Sequence, residues 1–455
     1  MRTFSIITLG CKVNQYESQQ FRQLFEQLGL EQVEEFQKPD LVIVNTCCVT
    51  GTASAKSRQY IRKAQRLSPD ATVVVCGCLP TIEIGELCET DENIHIVRER
   101  TTIAAMLTKV VACNLDTMLI RKYEDPIIKT ENDYKINGKN ELGNFPQLPQ
   151  LNSFKGQTRA FLKVQDGCDG YCTYCIVPKV RPFVHSKPIE AVLNEAEALV
   201  RAGHKEIVVT GIFLGAYGQN SVRRKTWANA QNDEFTDLLD RMAQIPNLAR
   251  IRLSSLEPAD VTPRLVDTLC KHANIMPHLH LSLQSGSDKV LKKMGRQYNA
   301  DEFREKVELL KNRIDRPAIT TDIIVGFPGE TDGDFQQTVD LAKEVGFAKM
   351  HIFSFSPRKG TAAAEAMQGA VDNRVIKIRS QVLKKLEAEL GKIYREQFVG
   401  EIAQILIEND NGQVCGRSER YFMVYLEKTT KKVERNEFVR VKLLESSENG
   451  VIGEA

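Results

Sequence analysis

Apolar positions along the chain alternate between two periods. Thr3–Leu9, Leu41–Val44, Ala71–Val75 and Ile94–Val97 are short, dense apolar runs that read as strands. After the first run, Tyr16, Phe21, Leu24, Phe25 and Leu28 recur at helical spacing and Gly29 closes the segment; 53–67 reads as a second helix, rich in Lys and Arg, and 82–88 as a third. Strands alternating with helices predict an α/β unit built on a doubly wound parallel sheet. From Asn114 to about Lys155 the pattern dissolves into polar, Pro- and Gly-containing chain, which reads as a linker. Alternation then resumes. Strands are expected over 160–165, 206–210, 250–254, 278–283, 319–326 and 349–355, with helices over 188–202, 233–245, 262–272, 300–314 and 331–345. Six strand–helix units predict a partial (β/α)6 barrel whose active face is formed by the loops that follow the strands. A long charged helix over 371–397, with Val375, Ile378, Val382, Leu386 and Leu390 as its apolar stripe, is expected to pack on that barrel. Beyond it, short strands at 403–407, 422–426 and 438–442 predict a small β-barrel of the oligonucleotide-binding sort.

Composition narrows the picture only modestly. A chain of 455 residues exceeds one ordinary domain, and 42% hydrophobic content supplies material for several cores. No apolar run nears the roughly 18 residues of a membrane span, and the N-terminus lacks a signal-peptide core, so a cytoplasmic protein with no membrane partner is expected. The net charge of +2 announces no global field for nucleic acid. Twelve cysteines are many for such a compartment, where disulfides seldom persist, and point to metal or cluster ligation.

Three of them, Cys168, Cys172 and Cys175, lie at C-x3-C-x2-C spacing on a loop directly after the first barrel strand. A structural zinc site wants four ligands, and no fourth Cys or His is close in sequence; an iron–sulfur cube held by three thiolates keeps one iron open to a small-molecule donor. A zinc knuckle short of one ligand, or three buried thiols, is the plainer alternative. A second trio, Cys11, Cys47 and Cys78, is dispersed, yet each stands just past a different predicted strand of the N-terminal sheet. Such a sheet gathers its ligands at its carboxyl edge. On spacing alone, ligation and small buried core cysteines are both compatible with this trio. Cys48 and Cys76 flank it: Cys48 points away from Cys47 if the backbone is extended, and Cys76 belongs to the strand. Cys88, Cys113, Cys270 and Cys415 have no partner spacing and read as core residues.

The motif Cys168-Asp-Gly-Tyr-Cys172-Thr-Tyr-Cys175 resembles the radical-SAM signature, and Leu9-Gly-Cys-Lys-Val-Asn-Gln-Tyr-Glu-Ser18, Asn45-Thr-Cys47 and Gly77-Cys78 are similar to the N-terminal motifs of the methylthiotransferase family. The resemblance covers nearly the whole chain. It implies two [4Fe–4S] clusters, one on Cys168, Cys172 and Cys175 that binds S-adenosyl-L-methionine, and an auxiliary one on Cys11, Cys47 and Cys78. It implies that Tyr174 lies against the adenine, that Thr210 and Gly211 receive the methionine amino group through backbone carbonyls, that Glu257 meets the ribose hydroxyls, and that Gln284 contacts substrate or S-adenosylmethionine. For Glu257 and the serines near Gln284, helix capping is the bland alternative. The implied division is 1–113 methylthiotransferase domain, 114–153 linker, 154–384 radical-SAM core, 385–397 connecting helix and 398–455 TRAM domain. The two clusters are expected to face each other across a shared pocket. His278 and His280 share a strand face without an evident third ligand and read as a packed, hydrogen-bonded pair.

Gly400-Glu-Ile-Ala-Gln-Ile-Leu-Ile-Glu408 and Gly416-Arg-Ser-Glu-Arg-Tyr-Phe422 resemble the RNA-binding TRAM module, with Arg417, Arg420, Tyr421 and Phe422 as the charge and rings that grip single-stranded RNA. From Phe398 onward, however, eight Lys+Arg face ten Asp+Glu, so RNA binding requires charges segregated by face. Thr8–Gln15 and Leu279–Met294 look most like the branch acting on N6-threonylcarbamoyladenosine beside the tRNA anticodon (position 37). The expected activity is its 2-methylthiolation, through a 5′-deoxyadenosyl radical that takes hydrogen from adenine C2. Implied partners are the tRNA anticodon loop, an electron donor such as flavodoxin or ferredoxin, and a sulfur donor. N6-isopentenyladenosine tRNA or a ribosomal-protein aspartate are alternative substrates, and a non-catalytic RNA-binding Fe–S electron carrier or scaffold is the alternative of another class.

Overall fold

The strand Thr3–Thr8 pairs in parallel with Leu41–Thr46 on one side and with a two-residue edge strand, Glu31–Gln32, on the other. In a computed structural model, which describes residues 1–82, 93–114, 148–226, 233–365, 368–408, 412–428 and 433–455, the chain divides into two units, Met1–Leu151 and Asn152–Ala455. The expected helix at 82–88 with Cys88, most of the linker, and the turns at 409–411 and 429–432 lie outside the described residues, as does the side chain of Cys113.

The first unit carries five parallel strands in the order Glu31–Gln32, Thr3–Thr8, Leu41–Thr46, Thr72–Gly77, Ile94–Ile96. All four expected strands coincide with it to within two residues; the exposed Glu31–Gln32 has no apolar residue to mark it in the sequence. Helices Lys12–Gln27, Gly51–Leu67 and Ile103–Asn114 follow the strands. Phe4, Phe21, Phe25, Leu41, Ile43, Val74 and Leu107 form the core, and Cys76 belongs to it. The strand order reverses direction between Thr3–Thr8 and Leu41–Thr46, where a doubly wound sheet opens its ligand crevice.

In the second unit six parallel strands run in sequence order. Ala160–Lys163, Glu206–Thr210 and Arg250–Leu253 form one sheet, and Ser255–Leu256, His278–Leu281, Ala318–Val325 and Lys349–Ser354 another. Ser254 interrupts what is otherwise one strand passing from the first sheet into the second. The helices between them are Ile189–Arg201, Asp233–Met242, Pro263–Lys271, Ala300–Arg313 and Asp332–Val345, the last three opened by a capping side chain. Thr262 accepts from Leu265 N, and Asn299 and Thr331 close capping boxes with Glu302 and Asp334. Cys270 departs from expectation: on Pro263–Lys271 the buried face is Leu265, Val266, Thr268 and Leu269, which leaves Cys270 exposed.

The long helix, Asn373–Glu396, buries a different stripe from the one its apolar residues suggest. Arg379, Leu383, Leu386, Gly391 and Tyr394 are buried, whereas Ile378 and Val382 are exposed. Arg379 turns inward because it meets buried Glu330 at 2.7 Å and Asp332 at 2.7 Å. This rotates the packed face by about one residue.

Five strands close the C-terminal barrel: Ile402–Ile407, Cys415–Arg417, Met423–Lys428, Phe438–Ser446 and Val451–Glu454. The second and last are short and glycine-bearing, with too little alternation to be recognised in advance. The barrel is fastened to the strand Arg250–Leu253 by buried arginines. Arg250 donates to Arg417 O at 3.0 Å and to Gln404 O; Arg252 donates to Ser418 O at 2.6 Å and Glu419 O at 2.9 Å. The residues expected to grip RNA are engaged in this junction. Tyr421 stacks on His278 with ring centroids 4.2 Å apart. Arg417 lies 3.4 Å from Glu408, and Arg420 reaches Asp315 at 3.0 Å and covers the Phe398 ring. Phe422 packs against the barrel core. Arg420 and Tyr421 thus help to hold the module in place, and Arg440 and Lys442 are exposed on it.

Candidate metal centres

Cys11, Cys47 and Cys78 stand at the carboxyl ends of three neighbouring strands. Their loops share one acceptor. Thr46 O receives Cys78 N at 3.0 Å and the side chain of Asn14 at 2.9 Å, and the same Asn14 amide nitrogen donates to Leu9 O at 2.8 Å. Asn14, 1% exposed, thus ties the loop of Cys11 to that of Cys47, with its own oxygen 3.8 Å from Cys11 Sγ. Ser57, from the next helix, accepts from Cys47 N at 3.1 Å and donates to Cys47 O at 2.9 Å. Gly10, at φ +104°, lets the chain turn tightly enough that a Cβ there would sit 2.8 Å from Cys47 Cβ and 3.1 Å from its sulfur. Arg100 directs a guanidinium nitrogen at Cys78 Sγ (3.7 Å) and pairs with buried Glu17. Cys48 and Cys76 are fully buried, and burial pushes the Cys76 thiol far up, as suits a core residue.

The loop of Cys168, Cys172 and Cys175 is braced from several sides. Cys168 N donates to Arg181 O at 2.8 Å, and Asp166 receives Arg181 at 2.6 Å and Lys163 at 2.7 Å. Asp169 accepts from Ser221 Oγ at 2.7 Å and Val222 N at 2.8 Å, while Thr173 N donates to Met294 O at 2.9 Å. Burial, and then the neighbouring sulfurs, push Cys168 up to about 12; burial and Cys172 push Cys175 up to about 12. Thiols raised in this way are protonated at neutral pH, and a bound metal would displace their protons.

Around them stands a network that motif reading missed. Arg296 donates to Cys172 Sγ at 3.1 Å and to Tyr174 Oη at 3.4 Å, and its other nitrogen pairs with Glu257 Oε1. Burial holds the Glu257 carboxyl above its ordinary value despite Arg296, and Oε2 has no hydrogen-bond partner among the described residues. A buried carboxylate oxygen without a hydrogen bond, 3.9 Å from Arg224 and joined through Arg296 to Cys172, fits a ligand that brings hydroxyl donors. Tyr174 packs against Val290, Met294, Phe327 and Ala363. Thr210 is 2% exposed with its carbonyl accepting from Val164 N at 2.9 Å, and Gly211 abuts Gln165, where a Cβ would stand 3.0 Å from that side chain. Gln284 is held at φ +65° by Asp322 O (2.8 Å) and Ile324 N (2.9 Å), a strained setting for a non-glycine residue. Ser285 and Ser287 face another way. Ser287 Oγ donates to Asp334 at 2.7 Å, and Ser285 Oγ lies 3.4 Å from Thr338 Oγ1, which fastens the loop to helix Asp332–Val345. No described helix is long and apolar enough to cross a membrane.

Residues 162–342 match the radical SAM superfamily and residues 3–98 an uncharacterised protein family, UPF0004. The chain is 35% identical to a threonylcarbamoyladenosine tRNA methylthiotransferase MtaB of Chlamydia pneumoniae, over 99% of this chain and 98% of that one. It is 34% identical to the Bacillus subtilis protein of that name, over 98% and 94%. A tRNA-2-methylthio-N(6)-dimethylallyladenosine synthase of Bacillus mycoides is 32% identical over 90% and 77%. Among solved structures, a radical S-adenosylmethionine methyltransferase, TsrM, of Kitasatospora setae superposes with a TM-score of 0.52 at 17% identity, covering 78% of this chain and 73% of that one; the likeness is one of fold.

Proposed function

Since the chain belongs to the radical-SAM methylthiotransferase family, we propose that it converts N6-threonylcarbamoyladenosine beside the tRNA anticodon, at position 37, to its 2-methylthio derivative. Near-end-to-end likeness to relatives of that name carries the substrate; two separate cysteine trios support the chemistry. Family membership brings S-adenosylmethionine and [4Fe–4S] clusters as cofactors. When bound, they supply the radical that breaks an unactivated C–H bond, and the sulfur and methyl group that replace it.

The chain's own residues have distinct tasks in this reading. Cys168, Cys172 and Cys175 would hold one cluster, and Cys11, Cys47 and Cys78 the other, each with three thiolates. Arg296 and Arg100 each place a positive charge against one sulfur of a trio while a carboxylate fixes their direction. Bound S-adenosylmethionine would meet Glu257 at the ribose and Tyr174 at the adenine, with Thr210, Gly211 and Gln284 at or just past strand ends. Anticodon-loop bases can be splayed out to reach such a site. The enzyme acts in the cytoplasm on tRNA, with a flavodoxin- or ferredoxin-type electron donor and a separate source of sulfur. Nucleoside mass spectrometry of bulk tRNA from a deletion strain tests the reading: the methylthio form of threonylcarbamoyladenosine should vanish and return on complementation. Its persistence, with loss of the methylthio form of isopentenyladenosine, would move the assignment to the other branch of relatives.

A further inference from the structure

The alternation of the second sheet places three potential ligands together that lie far apart in sequence. His280, Asp322 and His351 stand on the neighbouring strands His278–Leu281, Ala318–Val325 and Lys349–Ser354, with Thr320 opposite His280 and Asp322 opposite His351 in register. Leu279, Leu281, Ile319, Ile323 and Met350 are buried on the other face of these strands, so the three polar side chains share the opposite one. A donor atom of each lies within 4.8 Å of the others. The His280 and His351 rings stand 5.8 Å apart, and His280 Nε2 is 3.4 Å from Asp322 Oδ1.

Two proton arrangements fit this face: His278 can donate to Thr320, Thr320 to His280 Nδ1, and His280 Nε2–H to Asp322, or the chain can run in the opposite sense, the one that suits a metal. His280 Nδ1 lies 3.0 Å from Thr320 Oγ1, and that oxygen lies 3.2 Å from Nε2 of His278. If Nδ1–H of His280 donates to Thr320, and the Thr320 hydroxyl donates to His278, every distance is used once. The Nε2 lone pair of His280 is then turned toward Asp322. A hydroxyl that fixes one ring nitrogen so that the other presents its lone pair is the usual support behind a metal-ligating histidine. His278, stacked on Tyr421, closes this arrangement on one side; Asp322, half-buried, and His351, exposed, leave it open on the other.

We propose that His280, Asp322 and His351 form a mononuclear site for a divalent transition metal of the zinc class, separate from both cysteine trios. Two imidazoles and one carboxylate are a borderline nitrogen–oxygen set suited to such an ion, and three protein ligands leave positions open for water or an oxygen donor. Thr320 is its positioning residue.

Equilibrium dialysis of the untagged, anaerobically reconstituted full chain against micromolar zinc chloride, followed by metal analysis, tests this. The expected result is about one zinc per chain in addition to about eight irons. His351→Ala, at an exposed position, and Asp322→Asn should each weaken zinc binding by about tenfold or more with iron content unchanged, and Thr320→Val should weaken it less. Wild-type chain without zinc above trace, or variants that bind as the wild type does, overturns the proposal. So does zinc that disappears only together with iron, because the ion then sits at the cysteines.

Discussion

Arg296 donates to the sulfur of Cys172 across 3.1 Å, and this contact is anchored from behind by Glu257. Arg100, Cys78 and Glu17 repeat the arrangement in the other unit, with 3.7 Å between nitrogen and sulfur. Both arginines are separated in sequence from the cysteine they serve, by 124 and 22 residues. Because Arg296 and Glu257 are each less than a tenth exposed, removing one leaves the other buried without its nearest counter-charge. Arg296→Met should destabilise the cluster-free chain by about 3–5 kcal/mol in urea unfolding, and Arg296→Met with Glu257→Gln should recover most of that loss. If the double variant is as unstable as the single, the pair is not what holds this corner together.

Gly10→Ala is expected to damage one centre and spare the other. The added methyl would meet Cys47 Cβ at 2.8 Å in a backbone conformation, φ +104°, that alanine avoids. Iron per reconstituted chain should fall from about eight to about four. Formation of 5′-deoxyadenosine should persist, since the Cys168 loop is untouched.

The two trios are separable in the same way by direct substitution. Cys172→Ala should abolish reductive cleavage of S-adenosylmethionine, measured as 5′-deoxyadenosine after anaerobic incubation with a reductant. Cys47→Ala should leave cleavage measurable and eliminate methylthiolated tRNA. Retention of the methylthio product in Cys47→Ala would falsify the auxiliary role.

Glu206 governs how the C-terminal barrel responds to acid. It is fully buried among Arg252 at 2.7 Å, Arg250 at 3.6 Å and Arg159 at 3.9 Å. Burial alone would raise its pKa, but the guanidinium groups of Arg252, Arg159 and Arg250 outweigh it and hold the carboxyl below its ordinary value. A carboxyl depressed in the folded state contributes stability that is fully present above its unfolded value, about 4.3, and is lost as pH falls through the lower folded value. Glu206→Gln should therefore destabilise the chain at pH 7 by about 3–5 kcal/mol and flatten the acid limb of its stability profile. Arg250 and Arg252, left without their counter-charge, hold the backbone at 404, 417, 418 and 419, so proteolysis near residue 400 should quicken in the same variant.

Local pattern was enough for most strands and helices of both α/β parts, though not for Glu31–Gln32 or Ile103–Asn114, because burial on one or both faces writes a period into the residues themselves. The placement of the cysteines, on one loop or just past successive strands, was also visible along the chain. What it could not disclose were relations between positions far apart. Arg296 beside Cys172, Asn14 bridging two loops, and His351 and Asp322 joining His280 depend on strand order and register, which no short window contains. The same holds for Arg379, which displaced the apparent apolar stripe of the long helix, and for Tyr421, which resembled an RNA-stacking ring but lies against His278. A side chain's chemistry is written in the sequence; the partner that decides its use is chosen by tertiary packing, since desolvation and charge act over a few ångströms of space and not along the chain.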